Sequence, residues 1–186
     1  MTEAEVFGLV FRLLEAKGIE YYVTGSFAAA AWGRPRASHD LDLVVVAAEA
    51  AARDTARALA DGFAVDEEAF AEAARTRGRA NAIHIETAVK IDLWFVDRAG
   101  PQAKAFDRRR RIRLGPAGEA WVASAEDAIL AKLRWCQRGA GGRQIEDVRG
   151  ILDVQGEAID AAALDREAAA EGLTDLLERA RRDGEP

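Results

Sequence analysis

Two aspartates separated by one leucine, Asp40-Leu41-Asp42, open the apolar run Leu43-Val44-Val45-Val46, and this pattern restricts the chain more than any other. The run is short and β-branched, which predicts a strand over 40–46. Side chains alternate along a strand, so both carboxylates face one side while Leu41 and Leu43 point into a core. Like charges held that close repel, and a divalent cation bound by both removes the cost. Magnesium suits such a pair, because it needs few carboxylates and completes its shell with water and substrate phosphates.

A third acid has the same setting. Asp92 lies in Lys90-Ile91-Asp92-Leu93-Trp94, inside a strand expected over 89–96. If that strand neighbours the first, Asp40, Asp42 and Asp92 converge. Such a triad would hold two magnesium ions about 3.5–4 Å apart and promote in-line attack on a phosphoryl group. The plainer reading of the pair is two solvated strand-end acids, and that of Asp92 is a structural partner for Lys90 or Arg36.

Gly25-Ser26 follows the short strand expected over 20–24 and precedes an alanine-rich helix over 27–32. Glycine lets a backbone approach a phosphate closely, the serine hydroxyl donates, and the helix N-terminus favours anions. By itself the dipeptide is equally a tight turn.

Thr2 with Glu5 forms a capping-box pattern, helical spacing continues through Leu14, and Gly18 stops the helix. Helices are expected over 48–60 and 67–75, with a short strand over 63–65 between them. Strands over 83–86 and 89–96 read as joined by a tight connection, and short edge strands are expected over 110–114 and 121–122. Beyond them the pattern is helical, over 126–138, where Ser124 with Asp127 offers an N-cap pattern, and over 144–154, 160–170 and 174–182, with a glycine-rich linker over 139–142. The expectation is α/β: a small mixed sheet flanked by helices over 1–123, then a helical region over 124–186.

Net charge is −6. It divides into −6 over 1–97, +6 over 98–149 and −6 over 150–186, so a basic middle lies between acidic ends. The middle is either a footprint for nucleotide or RNA phosphates or a set of basic residues pairing with acidic neighbours. Arg108 to Arg111 and Arg113 carry the same two readings: phosphate steering or a solvated edge strand. His39 is read as a loop residue, His84 and Cys136 as structural residues, and Trp32, Trp94, Trp121 and Trp135 as core. An acidic N-terminus without a basic leader, a single cysteine and no apolar run of membrane length point to the cytoplasm and no membrane.

Strand, Gly-Ser, helix, loop, Asp-x-Asp and a later Asp resemble the nucleotidyltransferase superfamily related to DNA polymerase beta. The core stretch is TGSFAAAAWGRPRASHDLDLVV; Arg36 and His39 before the acids are similar to the form in minimal nucleotidyltransferases and abortive-infection toxins. SAEDAILAKLRW and GRQIEDV resemble further elements of that group, although Glu146-Asp147 stands in place of Lys-Asp and His39 in place of threonine.

The resemblance implies a magnesium-dependent, ATP-binding type of enzyme that moves a nucleoside monophosphate from a nucleoside triphosphate to a hydroxyl. Asp40 and Asp42 would hold metal, and Asp92 would ligate metal and act as general base. Gly25 and Ser26 would hold the triphosphate, Lys132 and Arg36 would neutralise its charge, and Asp147 would support the site. It further implies a toxin with a cognate antitoxin, acting on RNA (tRNA ends) or on a protein. An aminoglycoside-type small-molecule enzyme, or an antitoxin or regulatory binding module on the same fold, are the alternatives.

Overall fold

Thr2 accepts the Glu5 amide while the Glu5 carboxylate accepts the Thr2 amide at 2.7 Å, so the first helix begins with a closed capping box. The computed structural model describes residues 1–35, 38–100, 102–139 and 142–182. In chain order the elements are α1 Glu3–Ala16, β1 Glu20–Val23, α2 Gly25–Trp32, β2 Asp40–Val46, α3 Glu49–Leu59, β3 Phe63–Ala64, α4 Glu67–Thr76 and β4 Arg79–His84. There follow β5 Lys90–Phe95, α5 Ala103–Arg108, β6 Arg110–Arg113, β7 Glu119–Val122, α6 Ala125–Gln137, α7 Gly142–Gln155, α8 Ala161–Ala170 and α9 Thr174–Arg182. The class is α/β, as expected. Among the described residues no helix is long and apolar enough to cross a membrane.

The chain divides into two compact units, Met1–Val23 with Ser38–Ala123, and Thr24–Ala37 with Ser124–Pro186. The first unit holds a seven-stranded sheet in the order β3-β4-β5-β2-β1-β7-β6. It is mixed: β2 with β5 and β1 with β7 are parallel, and the other neighbours are antiparallel. Leu41, Leu43 and Val45 of β2 are buried, as are Ile91, Leu93 and Phe95 of β5. Helix α1 packs on their side through Phe11 stacked on Tyr21, and α4 through Phe70 edge-on to Phe95. On the opposite face Val44 packs in a cluster with Tyr22, Phe106 and Trp94, so α5 covers the Val44–Val46 end of that face.

Two features of this unit differ from the sequence reading. Strand β4 starts at Arg79, four residues before the expected 83, because Arg79 to Ile83 pair antiparallel with Trp94 to Lys90. The segment Arg-Ala-Asn-Ala has little strand propensity of its own, and the ladder to β5 overrides it. Helix α5 also went unseen, since six residues with one buried aromatic give no readable period.

The second unit is helical. Ser124 caps α6 by accepting the Asp127 amide, as its sequence pattern suggests. Apolar positions Ile145, Val148 and Ile151 of α7, Leu164 and Ala168 of α8, and Leu177 and Ala180 of α9 recur at helical spacing and form the core. Small residues let α2 and α7 approach closely: a Cβ on Gly33 would stand 2.8 Å from the Gly150 carbonyl carbon and the Ile151 nitrogen. Gln155 Nε2 donates to the Trp32 carbonyl beside this contact at 2.5 Å.

Gly33→Ala therefore forces backbone against backbone and should destabilise the fold by about 1–3 kcal/mol. Urea denaturation measures it; an unchanged midpoint would mean that the two helices separate without cost.

Candidate active site

β2 and β5 run parallel, and their register sets the site. Asp40 is opposite Lys90, Asp42 opposite Asp92 and Val44 opposite Trp94. These residues share one face, with Arg79 and Asn81 of β4 continuing the row beyond β5. Strand spacing of about 4.8 Å therefore brings the Asp42 and Asp92 carboxylates side by side. Asp40 is exposed, Asp42 is half-buried and Asp92 is only 5% exposed.

The pair is partly compensated. Trp94 Nε1 donates to Asp42 Oδ1 at 3.3 Å. Lys90 Nζ donates to Asp92 Oδ2 at 2.7 Å, and Arg79 Nη1 lies 3.9 Å from the same oxygen while its guanidinium stacks 5.1 Å over the Trp94 ring. Asp92 Oδ1 has no hydrogen-bond partner although it is buried. A buried carboxylate oxygen without a donor, directly across from a second carboxylate, costs free energy that a cation bound there would recover. Asp42 and Asp92 therefore fit a divalent cation. Among the described residues no three His, Cys, Asp or Glu side chains are gathered closely enough to hold a metal; Asp40, at the start of the same strand, is exposed.

The second unit carries the remaining sequence-selected residues. Gly25 opens α2 with φ +64°, a left-handed conformation that glycine adopts without strain, and Ser26 follows it, half-exposed. Thr24 occupies the N-cap position of α2 but makes no side-chain capping bond. Lys132 of α6 is 4% exposed, and its ammonium lies 2.7 Å from Asp147 of α7 in a buried ion pair. Lys132, which the resemblance assigns to the triphosphate, is paired inside the helical unit. Asp147 also borders a cavity of about 270 Å³ with Ala29, Arg34, Pro35, Glu146 and Gly150. Arg36 lies outside the described residues. His39 is exposed, 3.5 Å from Glu3.

Sequence reasoning treated Lys90 only as a conceivable partner of Asp92 and passed over Arg79 and Asn81. Period-two spacing of Lys90 and Asp92 was the available signal for the first. For the others there was none, because β4 was expected to begin beyond them. Two arginines of the basic middle are paired within the first unit: Arg109 with Glu20 at 3.2 Å, and Arg111 with Glu15 at 3.0 Å and Glu119 at 3.2 Å. Both guanidiniums stack on Trp121, 4.9 and 5.7 Å from its centre. Trp135, expected in the core, is 43% exposed and stacks with Arg138 instead.

Solved structures share this arrangement of elements. The antibiotic-resistance factor ANT(2'')-Ia superposes with TM-score 0.57 at 17% identity, over 91% of this chain and 95% of its own. The lincosamide antibiotic adenylyltransferase LnuA, in its lincomycin-bound form, gives TM-score 0.56 at 15% identity over 83% and 98%. An antigenic nucleotidyltransferase-like protein from Paracoccidioides brasiliensis gives 0.55 at 16% identity over 95% and 92%. The fold is that of the nucleotidyltransferases. No family model and no curated protein matches the sequence. In this nucleotidyltransferase fold the acid pair lies on two parallel neighbouring strands of the sheet, β2 and β5.

Asp92→Asn deprives Lys90 of its ionic partner and should destabilise the protein in chelator by about 1 kcal/mol. Thermal unfolding in EDTA reads it; an unchanged or raised melting temperature would contradict the stabilising role of the Lys90–Asp92 pair.

Proposed function

We propose that this protein is a magnesium-dependent nucleotidyltransferase, moving a nucleoside monophosphate from a nucleoside triphosphate to an acceptor hydroxyl. The observation that carries the reading is the Asp42–Asp92 pair, register partners with one buried carboxylate oxygen lacking a donor, on a nucleotidyltransferase fold. Asp42 and Asp92 would hold the cation, and Asp40 would join from the start of the same strand. The bound cation would supply charge neutralisation and acidify an adjacent hydroxyl.

The chain's own residues then divide the work. Asp92 is proposed as the proton acceptor for the attacking hydroxyl, supported by its buried carboxylate oxygen without a donor. Gly25 and Ser26 are proposed to hold the triphosphate, supported by the glycine's left-handed backbone and the uncapped start of α2. Arg36 and Lys132 are proposed to balance its charge, with Asp147 holding Lys132 in place. Positive groups beside the leaving pyrophosphate would stabilise the charge developing on it.

For the acceptor, the sequence resemblance supports an RNA end or a protein side chain, in a toxin–antitoxin setting with a cognate antitoxin as partner. A specific observation favours a second reading, a small-molecule acceptor of the antibiotic type. Arg109 and Arg111, two of the arginines that would track an RNA backbone, are engaged with Glu15, Glu20 and Glu119, and two of the similar structures are antibiotic-modifying or resistance proteins.

Incubation with each α-labelled nucleoside triphosphate, magnesium, total RNA, cell lysate and a panel of aminoglycosides and lincosamides tests both. Label should transfer with the native protein and fall by at least about a hundredfold with Asp40→Asn/Asp42→Asn. Label in RNA or protein supports the first acceptor class and label on a drug the second. Absence of label from every fraction would contradict nucleotidyl transfer, and a cellular effect that survives the double substitution would mark a binding module.

A further inference from the structure

Lys90 has a position that the transfer reaction does not explain. It shares a strand face with Asp92 two residues on, stands opposite Asp40 in register, and places its ammonium 2.7 Å from Asp92 Oδ2. That oxygen belongs to the carboxylate that would also bind the cation. Its other oxygen, Oδ1, is buried without a donor. One ammonium carries a single charge and touches one oxygen of one acid, whereas the register pair presents two carboxylates.

We infer that Lys90 is a resident counter-ion of the acid pair, which a divalent cation displaces from Asp92 on binding. The inference rests on the reading of Asp42 and Asp92 as a cation-binding pair. Without a cation, Lys90 lowers the cost of keeping Asp92 buried next to Asp42. A divalent ion neutralises both acids and leaves the tethered ammonium redundant. The lysine side chain is 31% exposed, and its four-carbon stem lets the ammonium leave for solvent without moving the strand. Arg79 behaves differently. It lies farther from the oxygen, at 3.9 Å, and its stack on Trp94 holds it in place. The consequence is competition: metal affinity is set below the pair's intrinsic value, and the metal-free protein remains folded.

The test is manganese binding to the full chain after removal of metals by EDTA, by calorimetric titration and by the spin-resonance signal of free Mn²⁺. Lys90→Met should bind on the order of fivefold tighter than the native protein, the factor set by losing a partly exposed charge pair. Its melting temperature in EDTA should fall, and Mn²⁺ should raise it more than in the native protein. Lys90→Arg, which keeps a cation on Asp92 with a stiffer fork, should bind no tighter than the native protein.

Unchanged or weaker binding by Lys90→Met would overturn the inference and make Lys90 a support that orients Asp92 for the metal. Absence of Mn²⁺ binding by the native protein and both variants would overturn it together with the metal reading of the acid pair. The two failures are distinguishable, because in the first the native protein still binds Mn²⁺.

Discussion

The parallel pairing of β2 with β5 is the constraint on which the rest depends. It aligns Asp42 with Asp92, and the same ladder aligns buried Leu41, Leu43 and Val45 with buried Ile91, Leu93 and Phe95. A slip of one residue would send every one of these side chains to the opposite face, placing carboxylates in the apolar layer and leucines in the site. The core that stabilises the sheet therefore also holds two like charges together. Burial supplies the driving force, and the local repulsion is offset by Trp94, Lys90 and Arg79 on the same face.

That compensation is uneven, and the unevenness is chemically informative. Asp42 is half-buried and receives an indole donor, while Asp92 is nearly inaccessible with one oxygen paired and one not. A purely structural pair would be expected to satisfy the more deeply buried group first. The unsatisfied oxygen instead belongs to that group. Similar economy governs the second unit, where the buried Lys132–Asp147 pair joins α6 to α7 and the Gly33 contact brings α2 against α7. Such a pair is costly to break from one side, so both helices are held in a fixed relation beside the small cavity that Asp147 borders.

Much of this was legible in the sequence. Asp40 to Val46 announced its strand by β-branched content and period-two alternation, and Lys90 to Trp94 did so through apolar residues around one acid. The Thr2–Glu5 and Ser124–Asp127 caps were equally plain, because capping depends on a few local residues. Two of the site's neighbours were not legible. Arg79 and Asn81 belong to a strand made by its partner rather than by its own composition. The engaged state of Arg109 and Arg111 was likewise hidden, since their acidic partners lie far away in sequence, at Glu20 and Glu15. Sequence spacing reveals a face, and only tertiary pairing reveals which charges on it remain available.

The most direct test of the central claim is diffraction from crystals grown with Mn²⁺ and a non-hydrolysable nucleoside triphosphate, recorded at the manganese edge. An anomalous peak about 2.2 Å from carboxylate oxygens of both Asp42 and Asp92 is the expected result. Manganese located elsewhere, with neither carboxylate within coordinating distance of it, would contradict the account of this pair as the cation site.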